Sequence, residues 1–311
     1  MSSLISVNKL SRYYGDFCAV NDISFELAAG DILGFLGPNG AGKSSTMQML
    51  SGNLAPSAGE IHINGIDLLE QPKAAKASLG YLPETPPLYP EMTVSEYLRY
   101  CARLHRITAA RIADSCNNAM QRCGLTEVAQ RLIRNLSKGY QQRVGIAQAI
   151  LHAPPVIILD EPTVGLDPIQ IMEIRDLIRE LGQSHGIILC THILPEVQAV
   201  CNRVQIINRG KLVYNANMNE LLQPRSGRYE FILAKDISDD ELATHAVFSE
   251  VEKVAERHFV VSSPQPAEQL TQFIIDQQWG LRTFQEKQVS LEQIFIELTA
   301  GDTLPAADEA A

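Results

Sequence analysis

One segment restricts the fold of this chain more than any other feature. Its residues, in order, are Gly37, Pro38, Asn39, Gly40, Ala41, Gly42, Lys43 and Ser44. The segment matches the pattern G-x-x-x-x-G-K-[ST] in full and lies between an apolar run, 31–36, and a stretch of helical character, 43–51. Glycines let successive backbone N–H groups turn inward, and the following helix adds partial positive charge at its N-terminus. The sequence therefore predicts a strand, a phosphate-binding loop and a helix, in that order.

The side chains that follow the glycines suit a bound nucleoside triphosphate. Lys43 is expected to reach the β- and γ-phosphates as a point charge, and the Ser44 hydroxyl is expected to ligate Mg²⁺. Ser45 is expected beside the α-phosphate. The backbone of 37–42 would supply N–H groups to the phosphate oxygens.

A pair of carboxylates follows the apolar run Val156–Leu159. Successive residues of a strand point to opposite sides, so Asp160 and Glu161 can take different tasks. Asp160 is expected to hold Mg²⁺, directly or through water. Glu161 is expected to orient and polarise the water that attacks the phosphate.

Buried-strand patterns place residues 1–215 in the α/β class. Val156–Leu159 and Ile187–Cys190 are continuous apolar runs, as expected for strands covered on both faces of a parallel sheet. Alternating apolar residues predict further strands at Leu4–Leu10 and Ile23–Leu27. Residues 95–135 read as helical and are unusually basic.

Charge divides the chain of 311 residues into two parts. The net charge is −10, and its whole excess lies after residue 215, where 17 acidic residues face 7 basic ones. We therefore expect one domain over 1–226 and a small α+β, ferredoxin-like domain over 227–311, closed by a helix at Leu291–Leu298 and ending in a frayed acidic tail. Its expected order, β-α-β-β-α-β, uses strands at Tyr229–Leu233, Val251–Val254, His258–Val261 and Leu281–Phe284. The acidic balance disfavours nucleic acid as a partner.

Cysteine spacing and hydropathy argue against a disulfide-rich, a zinc-binding or a membrane-spanning protein. None of the six cysteines forms a C-x-x-C pair, so reduced thiols are expected rather than a disulfide framework or a zinc site. No apolar run approaches the roughly 20 residues needed to cross a bilayer. Any link to a membrane is therefore expected to come through a partner chain.

The stretch Leu136–Arg143, with the sequence LSKGYQQR, resembles the signature segment of the ABC ATPases. Other elements of that family occur in the same order along residues 4–220. They are Tyr14 for the aromatic that stacks on adenine, Glu84 for the coupling-loop glutamine, Gly165–Asp167 for the loop that meets the opposite subunit, and His192 for the switch histidine.

This resemblance implies a P-loop NTPase of ABC type, with a helical subdomain, that binds ATP and Mg²⁺. Ser137 and Gly139 are then expected to supply a hydroxyl and a backbone N–H to the γ-phosphate. His192 would hold that phosphate, and Asp167 would face a second subunit. Glu84, which replaces glutamine, only accepts hydrogen bonds and is a further candidate Mg²⁺ ligand.

Two signature positions depart from the family pattern. Lys138 stands where glycine is usual, and Tyr140 stands where glutamine is usual. The departures bear on the rate of hydrolysis and its coupling rather than on the class of reaction.

The same resemblance implies partners. In this family two ATPase domains sandwich the nucleotide, so a chain with one phosphate loop and one signature needs a second ATPase subunit, most simply in a homodimer. A multispanning membrane permease is the expected transport partner, and export is the expected direction. The chain would then be cytoplasmic and peripheral on the inner (plasma) membrane, with a proline-rich coupling loop, Tyr81–Val94, facing the permease.

Other functions remain open on the sequence alone. One is a soluble ABC-type switch acting on ribosomes or DNA, although such proteins usually carry two ATPase domains or an insertion. Another is a regulatory ATPase that is not coupled to a permease. The basic stretch Arg99–Arg143 fits a solvated helical face or a surface for anionic lipid or a permease loop, and the C-terminal region fits a structural appendage or a sensor.

Overall fold

The computed structural model describes residues 3–222, 227–287 and 291–300. The chain divides into two compact units: the first runs to Met218 and includes the described residues from Leu298 onward, and the second covers Asn219–Glu297. All six cysteines are free thiols. Within the described residues, no helix combines the length and the apolar character needed to span a bilayer.

The first unit contains ten strands and seven helices among its described residues. The strands are β1 (Ser3–Tyr14), β2 (Phe17–Ala28), β3 (Ile32–Leu36), β4 (Ala58–Ile63), β5 (Ile66–Asp67), β6 (Leu79–Leu82), β7 (Val156–Asp160), β8 (Gly186–Thr191), β9 (Arg203–Asn208) and β10 (Lys211–Asn217). The helices are α1 (Lys43–Leu50), α2 (Pro72–Ala77), α3 (Val94–Leu104), α4 (Ala109–Arg122), α5 (Lys138–Ile150), α6 (Pro168–Gly182) and α7 (Leu194–Val200).

A six-stranded sheet with the order β10-β9-β3-β8-β7-β6 carries the centre of this unit. Every neighbouring pair is parallel except β9 and β10. All residues of β3, β7 and β8 are buried, as the apolar runs Val156–Leu159 and Ile187–Cys190 predict. Because the parallel strands end at one edge, the loops after β3, β6, β7 and β8 meet there. The α/β class is confirmed.

A second, antiparallel sheet with the order β2-β1-β4-β5 packs over α1. Met47, Met49 and Leu50 of α1 are fully buried in one core together with Phe25 of β2 and Phe35 of β3. The helix that follows the phosphate loop is thereby fixed on both sides.

The first two strands are longer than the sequence pattern indicates. β1 and β2 form a hairpin whose turn begins at Gly15, with a φ of 56°, and pairs Tyr14 with Phe17. Shifts of register between Val7 and Leu10 interrupt the alternation of apolar side chains. The predicted ends at residues 10 and 23 are therefore wrong.

The basic region 95–135 is not one helical stretch. It comprises α3, α4 and two single turns of 3₁₀ helix at Thr126–Val128 and Ile133–Asn135. The cap of α3 is reciprocal: the Glu96 N–H donates to the Thr93 hydroxyl at 3.2 Å, and the Thr93 N–H donates to the Glu96 carboxylate at 2.8 Å.

Acidic residues from outside the basic stretch Arg99–Arg143 neutralise part of its charge. Arg122 pairs with Glu180, Arg134 pairs with Glu91, and Arg143 pairs with Glu173. These pairs reduce the basic surface that the sequence alone indicates.

The second unit is a four-stranded antiparallel sheet with one helix between its first and second strands and one between its third and fourth strands. Its elements are α8 (Met218–Leu222), β11 (Arg228–Leu233), α9 (Asp239–Ala243), β12 (Glu250–Ala255), β13 (His258–Ser262), α10 (Ala267–Asp276), β14 (Leu281–Glu286) and α11 (Leu291–Ala300), of which α8 begins and α11 ends outside the unit. The order β12-β13-β11-β14 is that of the predicted ferredoxin-like fold. Phe231, Phe259 and Leu270 lie fully buried in its core. The acidic tail expected after residue 300 lies outside the described residues.

Candidate functional site

The phosphate loop joins β3 to α1 and can only be built with glycine at its tightest point. Gly42 has a φ of 107°, and a Cβ placed on it would lie 2.5 Å from the carbonyl oxygen of Ala19. A Cβ on Gly37 would lie 2.4 Å from the carbonyl oxygen of Ile207. Gly40, with a φ of 78°, has open space instead. The loop therefore follows a path between β2 and β9 that side chains would block.

Lys43, the first residue of α1, is held rigidly although it carries a charge. It is 7% exposed, and its ammonium group donates to the carbonyl oxygens of Gly37 at 2.7 Å and Pro38 at 3.1 Å. The first turn of α1 contains no acidic residue. The N-terminus of α1 and the ammonium group therefore present positive charge at the same edge of the sheet.

The two predicted carboxylates follow one another at the end of β7. Asp160 is 6% exposed, and Glu161 is 9% exposed with a φ of 49°, in the left-handed region. Burial raises the pKa of Asp160; the Cys190 thiol, which donates a hydrogen bond to it, and the charge of Lys43 oppose that shift, while Glu161 and Glu84 add to it. The backbone of Glu161 is fixed by a hydrogen bond of 2.8 Å, which its N–H donates to the carbonyl oxygen of Cys190.

His192 follows the end of β8 and contacts the second carboxylate directly. Its Nδ1 lies 2.8 Å from Oε1 of Glu161, and its side chain is 47% exposed. The adjacent Thr191 is fully buried, and its hydroxyl lies 3.3 Å from Oε2 of Glu161. The predicted base and the predicted switch histidine are therefore neighbours.

An open cleft of about 440 Å³ collects most of the predicted residues. Those lining it are Tyr14, Asn39, Gly40, Gly42, Lys43, Ser44, Ser45, Glu84, Glu161 and His192. Gly37, Pro38, Ala41 and Asp160 lie in the adjoining loop and strand without lining it. The cleft runs from the aromatic hairpin to the carboxylates.

Three lining residues were not predicted: Phe17, Ala19 and Val164. Phe17 is 64% exposed and pairs with Tyr14 across the hairpin, so an aromatic three positions after Tyr14 was the available signal. Arg12 lies on the ring of Tyr14, with its guanidinium carbon 4.7 Å from the ring centroid. The wall of the cleft is therefore more aromatic than the sequence motif implies.

Ser137, Gly139 and Asp167 do not line the cleft. Ser137 caps α5 by accepting the Tyr140 N–H at 3.4 Å, and Asp167 caps α6 by accepting the Gln170 N–H at 2.9 Å. Gly139 lies against the Gln170 side chain, where a Cβ would meet it at 2.6 Å. These residues sit together at the N-termini of two helices.

The unusual Lys138 lies against Gly165, near the start of α6. A Cβ on Gly165 would lie 2.2 Å from the Lys138 ammonium nitrogen. Both Lys138 and Glu84 line a second cleft of about 710 Å³, next to Val164. The Lys138 side chain thus contacts the loop after β7 rather than the phosphate loop of its own chain.

The residues of the first cleft, together with Asp160 of the adjoining strand, fit a magnesium nucleotide. Inward-facing glycine backbone, a helix N-terminus and the Lys43 ammonium group suit phosphate oxygens. The Ser44 hydroxyl and the Asp160 carboxylate are oxygen donors of the kind that Mg²⁺ prefers. This fold and this cleft define a P-loop nucleoside triphosphatase.

Comparison with known proteins identifies the family. The ABC transporter family model matches residues 20–164. The uncharacterized ABC transporter ATP-binding protein YxlF of Bacillus subtilis (strain 168) is 30% identical over 297 residues, which are 95% of this chain and 99% of that protein. The bacitracin transport ATP-binding protein BcrA of Bacillus licheniformis is 36% identical over 236 residues, 75% of this chain and 76% of that protein.

A solved structure gives the same result. The ATP-binding subunit of an ABC transporter superposes with a TM-score of 0.64 at 32% identity, covering 70% of this chain and 92% of that one. The chain therefore belongs to the ABC transporter family, as an ATP-binding subunit with an ABC-type ATPase domain.

Proposed function

We propose that this chain hydrolyses ATP to drive a membrane transporter through a separate permease, in the direction of export. The observation that carries the proposal is the contact of 2.8 Å between His192 and Glu161 at the edge of the phosphate cleft. It places a hydrogen-bonding pair beside a site that suits a triphosphate. We assign the ATPase to residues 1–226 and an accessory domain to 227–311.

The proposed roles follow from the chemistry of each side chain. Tyr14 stacks on adenine, and the loop amides of 37–42 with Lys43 and Ser45 bind the phosphates. Glu161 holds the attacking water, and His192 holds the γ-phosphate in line with it. Hydrolysis then requires positioning and charge neutralisation rather than covalent chemistry.

Ser44, Asp160 and Glu84 are the proposed holders of Mg²⁺. When bound, the ion neutralises charge on the phosphate oxygens. Burial of Asp160 keeps its carboxylate poorly hydrated, so a cation at this position would offset the cost of its charge.

A second copy of the chain completes the proposed site. Ser137 and Asp167 are exposed at helix N-termini away from their own cleft, so they are available to another subunit. Gly139 is buried against the Gln170 side chain, which would have to move before another subunit could reach it. In the proposed homodimer, each chain's Ser137 and Gly139 bind the γ-phosphate held by the other.

A groove of about 680 Å³ supports a permease as the transport partner. Its walls include Tyr81, Pro83 and Pro87 of the predicted coupling loop, together with Gln48 and Lys76. Prolines fix the backbone of that loop, so it can transmit a push from a helix seated in the groove. The chain would then lie on the cytoplasmic face of the inner membrane, and a relative named for bacitracin transport supports the transport role.

Replacing Glu161 with glutamine tests the catalytic assignment. Glutamine keeps the size of the side chain but cannot accept a proton, so we expect turnover to fall at least about 100-fold while ATP still binds. ATP-bound dimers should accumulate on gel filtration. Glu127→Gln, at an exposed glutamate in a single helical turn, is the matched control and should behave as wild type. Turnover in Glu161→Gln equal to that of the control contradicts the proposal.

Purification from detergent-solubilised membranes tests the transport assignment. A multispanning protein recovered together with the chain is the expected result. Recovery with ribosomes or DNA, and with no membrane protein, contradicts it.

A further inference from the structure

Glu196 is a buried carboxylate next to the candidate active site that no assigned role uses. It lies in the first turn of α7 and is 1% exposed. Two buried threonines donate their hydroxyls to it: Thr163 to Oε1, and Thr191 to Oε2 at 3.1 Å. Thr163 belongs to the loop after β7 and Thr191 ends β8, so one carboxylate joins the loop that follows Glu161 to the strand that precedes His192.

Burying such a carboxylate costs free energy. Burial raises the pKa of Glu196, whereas the Thr163 and Thr191 hydroxyls and the charge of Arg175 oppose the shift. An apolar side chain would avoid this cost, so the carboxylate is expected to contribute something other than stability.

The Thr191 hydroxyl group has one hydrogen to donate and two carboxylates within hydrogen-bond distance, those of Glu196 and Glu161. Its hydroxyl oxygen already accepts the Ile193 N–H at 3.1 Å. Its hydroxyl lies 3.1 Å from Oε2 of Glu196 and 3.3 Å from Oε2 of Glu161. A hydroxyl donates a single hydrogen bond, so the two carboxylates compete for it.

This competition decides which oxygens of Glu161 are free. Oε1 of Glu161 faces Nδ1 of His192 at 2.8 Å, so Oε2 is the oxygen that remains. A hydroxyl proton from Thr191 would take one of the two lone pairs of Oε2 and draw electron density from it, so this oxygen would hold and polarise water less well.

We propose that Glu196 is a positioning residue: it accepts the Thr191 hydroxyl proton and so leaves Oε2 of Glu161 open to hold the attacking water. The proposal rests on the proposed role of Glu161. Glu196 also binds Thr163, two residues after Glu161, and so restrains the loop in which Glu161 has its left-handed backbone.

The test compares Glu196→Leu with Glu196→Leu/Thr191→Val in the full chain, with Mg²⁺ and ATP. Leucine removes both acceptors, so the Thr191 proton passes to Glu161; kcat should fall about 10- to 100-fold while KM for ATP stays nearly unchanged. Valine at position 191 then removes the competing proton, and kcat should rise again at least about threefold above the single variant. Thermal unfolding measured alongside shows the loss of packing in each.

A merely structural role is separated from this one by thermal unfolding, because replacing both hydrogen-bonding partners with apolar side chains can restore stability. A recovery of kcat at an unchanged unfolding temperature supports the proposal, and a recovery that only follows a restored unfolding temperature overturns it. A double variant as slow as Glu196→Leu, or slower, overturns the proposal. Glu196→Gln serves if the leucine variant does not fold: one amide oxygen shared by two hydroxyls should give a smaller fall in kcat, again relieved by Thr191→Val. An active Glu161→Gln variant defeats the proposed function itself. If Glu161→Gln is inactive but Thr191→Val does not restore kcat in the Glu196→Leu variant, only this inference is defeated.

Discussion

Gly42→Ala is the change whose effect can be worked out most fully from the loop geometry. A Cβ at Gly42 would meet the Ala19 carbonyl oxygen at 2.5 Å and Cδ1 of Ile207 at 3.3 Å, and the φ of 107° is itself unfavourable for alanine. Gly30 provides a matched control, since its φ is 81° and its Cβ would meet nothing within 4 Å. Both variants lose the conformational freedom of glycine, and only one adds a clash.

The expected magnitudes follow from that difference. A left-handed backbone costs alanine about 1–2 kcal/mol at either position. The clash at Gly42 adds about 1–3 kcal/mol, as overpacking does elsewhere. Because α1 begins at the next residue, relief of the clash also displaces the Lys43 ammonium group, so affinity for ATP should fall about tenfold or more in Gly42→Ala and remain unchanged in Gly30→Ala.

Urea unfolding followed by circular dichroism, with binding of a fluorescent ATP analogue, measures both effects. Tryptophan fluorescence would mislead, because the one tryptophan of the sequence, Trp279, belongs to the second unit. Equal losses of stability and equal ATP affinities in the two variants would refute the reasoning.

Two further predictions concern Arg12, which lies on the Tyr14 ring at the wall of the cleft, and a buried histidine. Arg12→Ala removes a guanidinium group 4.7 Å from the Tyr14 ring centroid and a hydrogen bond of 2.9 Å to the Ala55 carbonyl oxygen, so KM for ATP should rise about 2- to 5-fold; an unchanged KM in steady-state kinetics would contradict this. Burial, and then the neighbouring His105, lower the pKa of His152 from 6.5 to about 4. Between these two pH values the His152 side chain stays neutral in the folded protein but is protonated in the unfolded chain. The free energy of unfolding therefore decreases as the pH falls from 6.5 towards 4, by at most about 3 kcal/mol. His152→Gln should lessen that loss in urea titrations at pH 7.5 and 4.5, and an equal loss in both proteins would show that His152 is not its source.

The phosphate loop could be predicted because its chemistry is local. Residues 37–44 carry the glycines, the lysine and the hydroxyl in one segment, and the helix that follows begins at Lys43 as expected. The strands that end in Asp160 and before His192 could also be read, since buried parallel strands are continuous apolar runs.

Contacts between distant segments could not be read in the same way. Phe17 joins the cleft only because β1 and β2 extend to a tight turn, and the apolar alternation does not show this. The hydrogen bonds from Thr163 and Thr191 to Glu196 link a loop, a strand end and a helix, whose relative positions are set by packing. The contact of the Lys138 side chain with Gly165 is likewise a tertiary contact, which the spacing of residues in the sequence does not predict.

The bonds from Lys43 to its own loop have a consequence for how substrate is taken up and given back. Two carbonyl oxygens, of Gly37 and Pro38, already compensate the desolvated ammonium group. In the proposed role of Lys43, an incoming phosphate would therefore exchange with backbone acceptors instead of stripping water from a mobile cation, and departure of the product would return the ammonium group to the same acceptors. Such an exchange lowers the net gain from each charge contact, but it lets the catalyst reset between turnovers without rebuilding its binding loop.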